Sequence, residues 1–115
     1  MNAVQIKRIY EPVAGEDGYR VLVDRLWPRG ISKDAAALDD WHRNIAPSHE
    51  LRSWYGHDPK RWEEFRRRYK DELAAQTDVL EGLRERARKG AITLLFSAKD
   101  EVHNQAVVLK EVLEK

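Results

Sequence analysis

The chain has 115 residues and a formal net charge of +1, although 36% of its residues are charged. That length supports one hydrophobic core, and so a single domain spanning residues 1–115. The balanced charge argues against a dedicated nucleic-acid binder, and the absence of cysteine excludes disulfides, thiol catalysis and thiolate metal sites.

Ile6 to Tyr10 alternates in part and predicts a first strand. Pro12 to Gly18 holds a proline, two glycines and acidic residues, and reads as a loop. Tyr19 to Asp24 predicts a second strand, followed by a turn over Pro28 to Lys33. Leu38 to Ala46 fits a helix, from the spacing of Trp41 and Ile45, as well as a short strand.

Pro47-Ser48 marks a helix start with Ser48 as N-cap, carrying Leu51 and Trp54 and ending near Gly56. Asp58-Pro59 marks the next, with Trp62, Phe65, Tyr69 and Leu73 as its apolar stripe. Asp78 and Glu81 have capping-box spacing ahead of Leu80, Leu83 and Ala87, with Gly90 as the stop. Ile92 to Ser97 is a continuous apolar run, expected as a central strand buried on both faces. A last helix is expected from about Asp100, with Val102, Ala106, Leu109 and Leu113 facing inward. The order predicts a single small layered α/β domain, with a mainly parallel sheet of about four strands flanked by helices.

Two strand ends carry the candidate chemistry. The first supplies Asp24, Arg25, Trp27 and Arg29; the second supplies Ser97, Lys99, Asp100, His103 and Asn104. If the strands are parallel, these groups meet at the carboxyl edge of the sheet, where free N–H groups of the last helix would join them. Arg25 and Arg29 are candidate ligand-binding forks for carboxylate or phosphate. Asp24 is a candidate catalytic group that orients an arginine or accepts a proton. The bland alternative is that Asp24 and Arg29 pair and brace the turn. His103 is the second catalytic candidate, as an acid or base. Trp27, Lys99 and Asn104 are candidate ligand contacts. Ser48 and Arg52 share a helix face four residues apart and would clamp a phosphate.

No phosphate-binding glycine loop, nucleophile elbow or zinc-protease helix is present. The histidines lack paired ligand spacing, so neither a metal nor a cofactor is expected. No apolar run reaches signal-peptide or membrane-spanning length, which points to a cytoplasmic protein with no membrane partner. The expected partner is a small anionic ligand, phosphate- or nucleotide-like. Two rival readings involve no catalysis. One is a nucleic-acid contact through Arg66 to Arg68 and Lys70. The other is a protein interface, including a homodimer, anchored by Trp27, Trp54 and Tyr55.

Several segments together resemble a known family. They are Asp17-Gly18-Tyr19-Arg20-Val21-Leu22-Val23-Asp24-Arg25-Leu26-Trp27-Pro28-Arg29-Gly30; Ala46-Pro47-Ser48 with Leu51-Arg52 and Trp54; Phe65-Arg66-Arg67-Arg68-Tyr69 with Glu72-Leu73; and Thr93-Leu94-Leu95 through His103-Asn104. In these the chain resembles the YeaO-like branch of the domain of unknown function 488 family (DUF488). The resemblance covers nearly the whole chain and bears on fold and site location, because the family has no assigned function. The wider family often has a cysteine at the strand end and then a Cys-His-Arg segment. Here the matching stretches read Phe96-Ser97-Ala98-Lys99 and Val102-His103-Asn104, so of that chemistry only the histidine remains. Some relatives carry a uroporphyrinogen methyltransferase label, which this short chain without a nucleotide loop does not support.

Overall fold

Four strands line up in parallel in the computed structural model, which describes residues 4–115. They are β1 (Val4–Arg8), β2 (Tyr19–Leu22), β3 (Asp40–Trp41) and β4 (Ile92–Phe96), in the order β1-β4-β2-β3. The interior strand β4 is buried at every residue, Leu94 and Leu95 included. An isoleucine- and leucine-rich run suits this position, because a central parallel strand is covered on both faces. The fold is a single α/β domain.

The two faces are covered differently. One packs Val21, Val23, Ile92, Leu94 and Phe96 against helices α2 (His49–Tyr55), α3 (Trp62–Leu73), α4 (Thr77–Lys89) and α5 (Gln105–Leu113). The other packs Leu22 and Leu95 against Ile9, Trp27, Ile31, Trp41 and the single turn α1 (Lys33–Ala36). A loop layer and one short helix replace the full helical cover expected there.

The stripes on α3 and α4 face the core as the spacing predicts: Phe65, Tyr69, Leu73, Leu80, Leu83 and Ala87 are all buried. Asp58 accepts the Lys60 N–H, and a 3-10 turn, Pro59–Arg61, leads into α3. Gly18 has φ +63°, and a Cβ there would stand 2.2 Å from the Ala91 carbonyl oxygen. The chain can pass beside β4 at that point only without a side chain.

Several boundaries differ from expectation. β1 starts earlier and stops at Arg8, leaving Tyr10 in an exposed turn. β2 ends at Leu22, although the Val23 N–H still reaches the Leu95 carbonyl. The loop after β1 contains a 3-10 turn, Gly15–Asp17. The ambiguous stretch 38–46 becomes β3 followed by the 3-10 turn Arg43–Ile45. α1 starts where the sequence predicts a turn, because Ser32 Oγ accepts the Ala35 N–H and acts as its N-cap. The Asp78–Glu81 capping box does not form: α4 begins at Thr77 after Gln76, and Glu81 pairs with Arg84 and Arg88. α5 begins at Gln105 rather than Asp100, because Asn104 caps it. Val102 therefore lies outside the helix and is exposed instead of facing inward.

Topology decides where a crevice opens. From β2 the chain crosses one face through α1; from β4 it leaves over the opposite face through α5. β2 and β4 are neighbours, so their carboxyl ends form a topological switch point, where open parallel sheets place ligand crevices.

Candidate functional site

A cavity of about 540 Å³ lies at that switch point. This is within the range of small-molecule sites. Its polar lining includes Asp24, Arg25, Arg29, Arg52, His103 and Gln105, and its apolar lining includes Leu26, Trp27, Pro47, Tyr55 and Phe65. Parallel strands place Asp24 and His103 in one cavity although they are far apart in the chain.

Asp24 is buried, and both of its oxygens are engaged. Oδ2 accepts the Ser97 N–H at 3.0 Å, and Oδ1 accepts Gln105 Nε2. Burial pushes its carboxyl above the ordinary carboxylate range, against the hydrogen bonds from Ser97 and Gln105 and the charge of Arg52. Asp24 does not pair with Arg29, so the bracing ion pair is absent. Arg25 is largely committed to the fold: its Nε and Nη2 donate to the carbonyls of Pro47 and Ala46. Trp27 lines the cavity, but its Nε1 donates to the Ile31 carbonyl and its ring packs edge-on against Trp41.

Arg29 and Arg52 differ from every other arginine among the described residues. The others each hold a carbonyl, a carboxylate or an aromatic ring. The guanidinium groups of Arg29 and Arg52 hold none of these, and both line the cavity. The Arg29 carbonyl accepts the Tyr10 hydroxyl, which anchors the loop while leaving the side chain available.

His103 is half-buried. Its Nδ1 lies 2.9 Å from Asp100 Oδ2. Asp100 is held below its usual range by the N–H of Val102, by the His103 side chain and by the His103 N–H, so it is an ionised acceptor. The neutral imidazole must then carry its proton on Nδ1, which leaves the Nε2 lone pair available. The Tyr55 hydroxyl donates to the His103 carbonyl, and Trp62 packs edge-on against the ring.

Three candidates sit elsewhere or do other work. Ser48 is the N-cap of α2; its hydroxyl donates to Glu72 and accepts the Leu51 N–H, and it lines a separate shallow depression. Arg52 lines the main cavity and Ser48 does not. Lys99 is exposed and is not part of the cavity lining. Asn104 does line it, but it is buried and its Oδ1 takes the N–H groups of Ala106 and Val107. Those amides do not face a ligand as expected, because the cap already satisfies them.

Gln105 is a lining residue that sequence reasoning misses. It is the first residue of α5, and nothing in its local sequence marks it; only the approach of β2 brings Asp24 to its amide. Arg66, Arg67, Arg68 and Lys70 pair with Glu63, Glu64, Asp71 and Glu111. Trp54 lies beneath Arg61 and Arg68, and Tyr55 is buried. No helix of the described residues is long and apolar enough to cross a membrane.

The profile of a family described as the inactive DUF488-N3 subclade matches residues 3–115. The chain is 46% identical over 110 residues to the uncharacterized protein YeaO of Escherichia coli (strain K12), covering 96% of each chain. It is 40% identical over 110 residues to the uncharacterized protein Mb3100c of Mycobacterium bovis, covering 96% of this chain and 92% of the relative. The uncharacterized protein Rv3073c of Mycobacterium tuberculosis matches with the same identity and coverage. No solved structure matches the chain. With nearly its whole length matched, the chain belongs to the DUF488 family, in the subclade described as inactive DUF488-N3.

Proposed function

We propose that the crevice binds a small anionic ligand, phosphate- or nucleotide-like, held by Arg29 and Arg52 and placed against His103. The observation that carries this reading is a pair of arginines whose guanidinium groups make no hydrogen bond or ion pair among the described residues, Arg52 acting on Asp24 only through its charge, both lining one cavity at the switch point. A guanidinium left without a carboxylate or carbonyl suits a planar oxyanion that arrives from solution. Both oxygens of the buried Asp24 are engaged, by Ser97 and Gln105, which suits a positioning role better than a proton-accepting one. His103 Nε2 is the group for any acid–base step. The subclade's description as inactive favours binding without turnover. Cytoplasmic location fits a chain without cysteine.

The paired state of Arg66 to Arg68 weighs against the nucleic-acid reading, and the internal engagement of Trp27, Trp54 and Tyr55 weighs against the interface reading.

The test is thermal melting and calorimetric titration with inorganic phosphate, nucleoside monophosphates and small carboxylates. A ligand at 100 times its Kd stabilises the fold by about 2.7 kcal/mol, a rise of about 10 °C for a domain of this size. Arg52→Met and Arg29→Lys should each weaken binding about tenfold. Absence of any shift across the panel overturns the reading.

A further inference from the structure

Gln105 lines the crevice, and its surroundings fix which end of its amide is left free. Nε2 donates to Asp24 Oδ1 and lies 3.4 Å from the Val23 carbonyl. A backbone carbonyl can only accept, and the Asp24 carboxylate accepts as well, so the NH₂ end must face both. Oε1 is then turned away from them. It takes no hydrogen bond within the described residues, and it is not sealed from solvent. Asp24 is itself held by the Ser97 N–H, so the chain of contacts from β4 through Asp24 to α5 sets the amide.

The cavity that Gln105 lines also has an apolar wall. Tyr55 and Phe65 stack at 4.3 Å between ring centroids, and Leu26, Trp27 and Pro47 complete the apolar lining. The cavity thus combines cationic groups, an apolar wall and, besides His103 Nε2, an amide acceptor of fixed direction. A bare oxyanion would use only the first.

We propose that Gln105 is a specificity-determining residue: its Oε1 selects anionic ligands whose ring or apolar body carries a neutral O–H or N–H donor. This rests on the anion reading above. A cationic donor is disfavoured by Arg25, Arg29 and Arg52 around the same space. Asp24 is a positioning residue, acting on the ligand through Gln105.

The probes are phenyl phosphate, its 2-, 3- and 4-hydroxyphenyl analogues, and the matching methoxyphenyl phosphates, titrated into the intact protein by calorimetry. At least one hydroxyl isomer should bind about five to ten times more tightly than phenyl phosphate, the gain of one net hydrogen bond. Its methoxy counterpart, which cannot donate, should lose that gain. In Gln105→Met the ratio of hydroxyl to unsubstituted probe should fall to about one. Asp24→Asn should do the same for a different reason. With its own oxygen held by the Ser97 N–H, the carboxamide introduced there turns its NH₂ toward Gln105 Nε2, so the Gln105 amide loses the acceptor that sets its direction. If phenyl phosphate binds and no hydroxyl isomer binds better, the specificity role is overturned and the anion site stands. If phenyl phosphate itself does not bind, the anion site is overturned, and this inference with it. A hydroxyl preference that survives in Gln105→Met, or in Gln105→Leu if that variant does not fold, assigns the acceptor to another group such as His103 Nε2 and overturns the role of Gln105.

Discussion

The backbone N–H of Ser97 donates to Asp24 Oδ2 at 3.0 Å, joining the ends of β4 and β2 at the mouth of the crevice. The other oxygen of the same carboxylate holds Gln105 at the start of α5. One buried side chain thus ties together the three elements that form the site. Asp24→Ala should cost about 1–3 kcal/mol, since it leaves two donors without an acceptor. The folded pKa of Asp24 is raised, so its ionisation opposes folding. Its contribution is fullest below the ordinary value of 3.8 and declines as pH rises through the window above it. The cost of Asp24→Ala should therefore be larger in acid than at pH 7, as urea titrations at the two pH values would show. A cost that grows toward neutral pH would contradict this.

Asp17 should behave in the opposite sense. It is buried in the turn just before β2, where it accepts from Arg20, Lys7 and the Ala14 N–H. Burial pushes its carboxyl up, but the Ala14 N–H, Lys7 and Arg20 together outweigh burial and hold it below the ordinary range. A lowered folded pKa contributes stability that is present above 3.8 and is lost as pH falls below that value. Asp17→Asn should cost about 3–5 kcal/mol at pH 7, because Arg20 is left buried without its counter-charge. That cost should shrink as the pH of the urea titration is lowered below 3.8.

Phe65 stacks between Tyr55 and Trp62, with ring centroids 4.3 and 5.7 Å away, and is 2% exposed. Phe65→Ala should cost about 3–5 kcal/mol by chemical denaturation, from lost burial and the cavity left behind. Tyr55 holds the His103 carbonyl, so the same variant should also loosen the histidine loop. The expected sign is faster amide hydrogen exchange at residues 101–104 than in Leu83→Ala, a truncation of a buried residue on α4. Equal protection in the two variants would mean that the aromatic stack does not brace the loop.

The site was legible only in part. Val21-Leu22-Val23 running into Asp24 and Arg25, and Ile92 to Phe96 running into Ser97, read as two strand tips without any structure. An apolar run that stops at charged residues has few other places to go. That both tips open on one cavity required the strands to be parallel, and adjacency through β4 supplied it. The resemblance added the region of the site but no chemistry, because the relatives are uncharacterized.

Composition and periodicity by themselves determined the α/β class, the core stripes of α3 and α4 and the buried central strand. Each of these follows from which residues must leave water at a spacing of two or of 3.6. Tertiary structure alone decided how polar groups are allotted. Asn104 and Ser48 look like ligand contacts in sequence, yet each satisfies a helix start first. Arg25 looks like Arg29, yet two carbonyls from the segment after β3 take up its fork. Gln105 carries no mark at all until Asp24 arrives to orient it. A hydrogen-bonding side chain bonds to whatever the fold brings within about 3 Å, and that neighbour is set by chain crossings dozens of residues away.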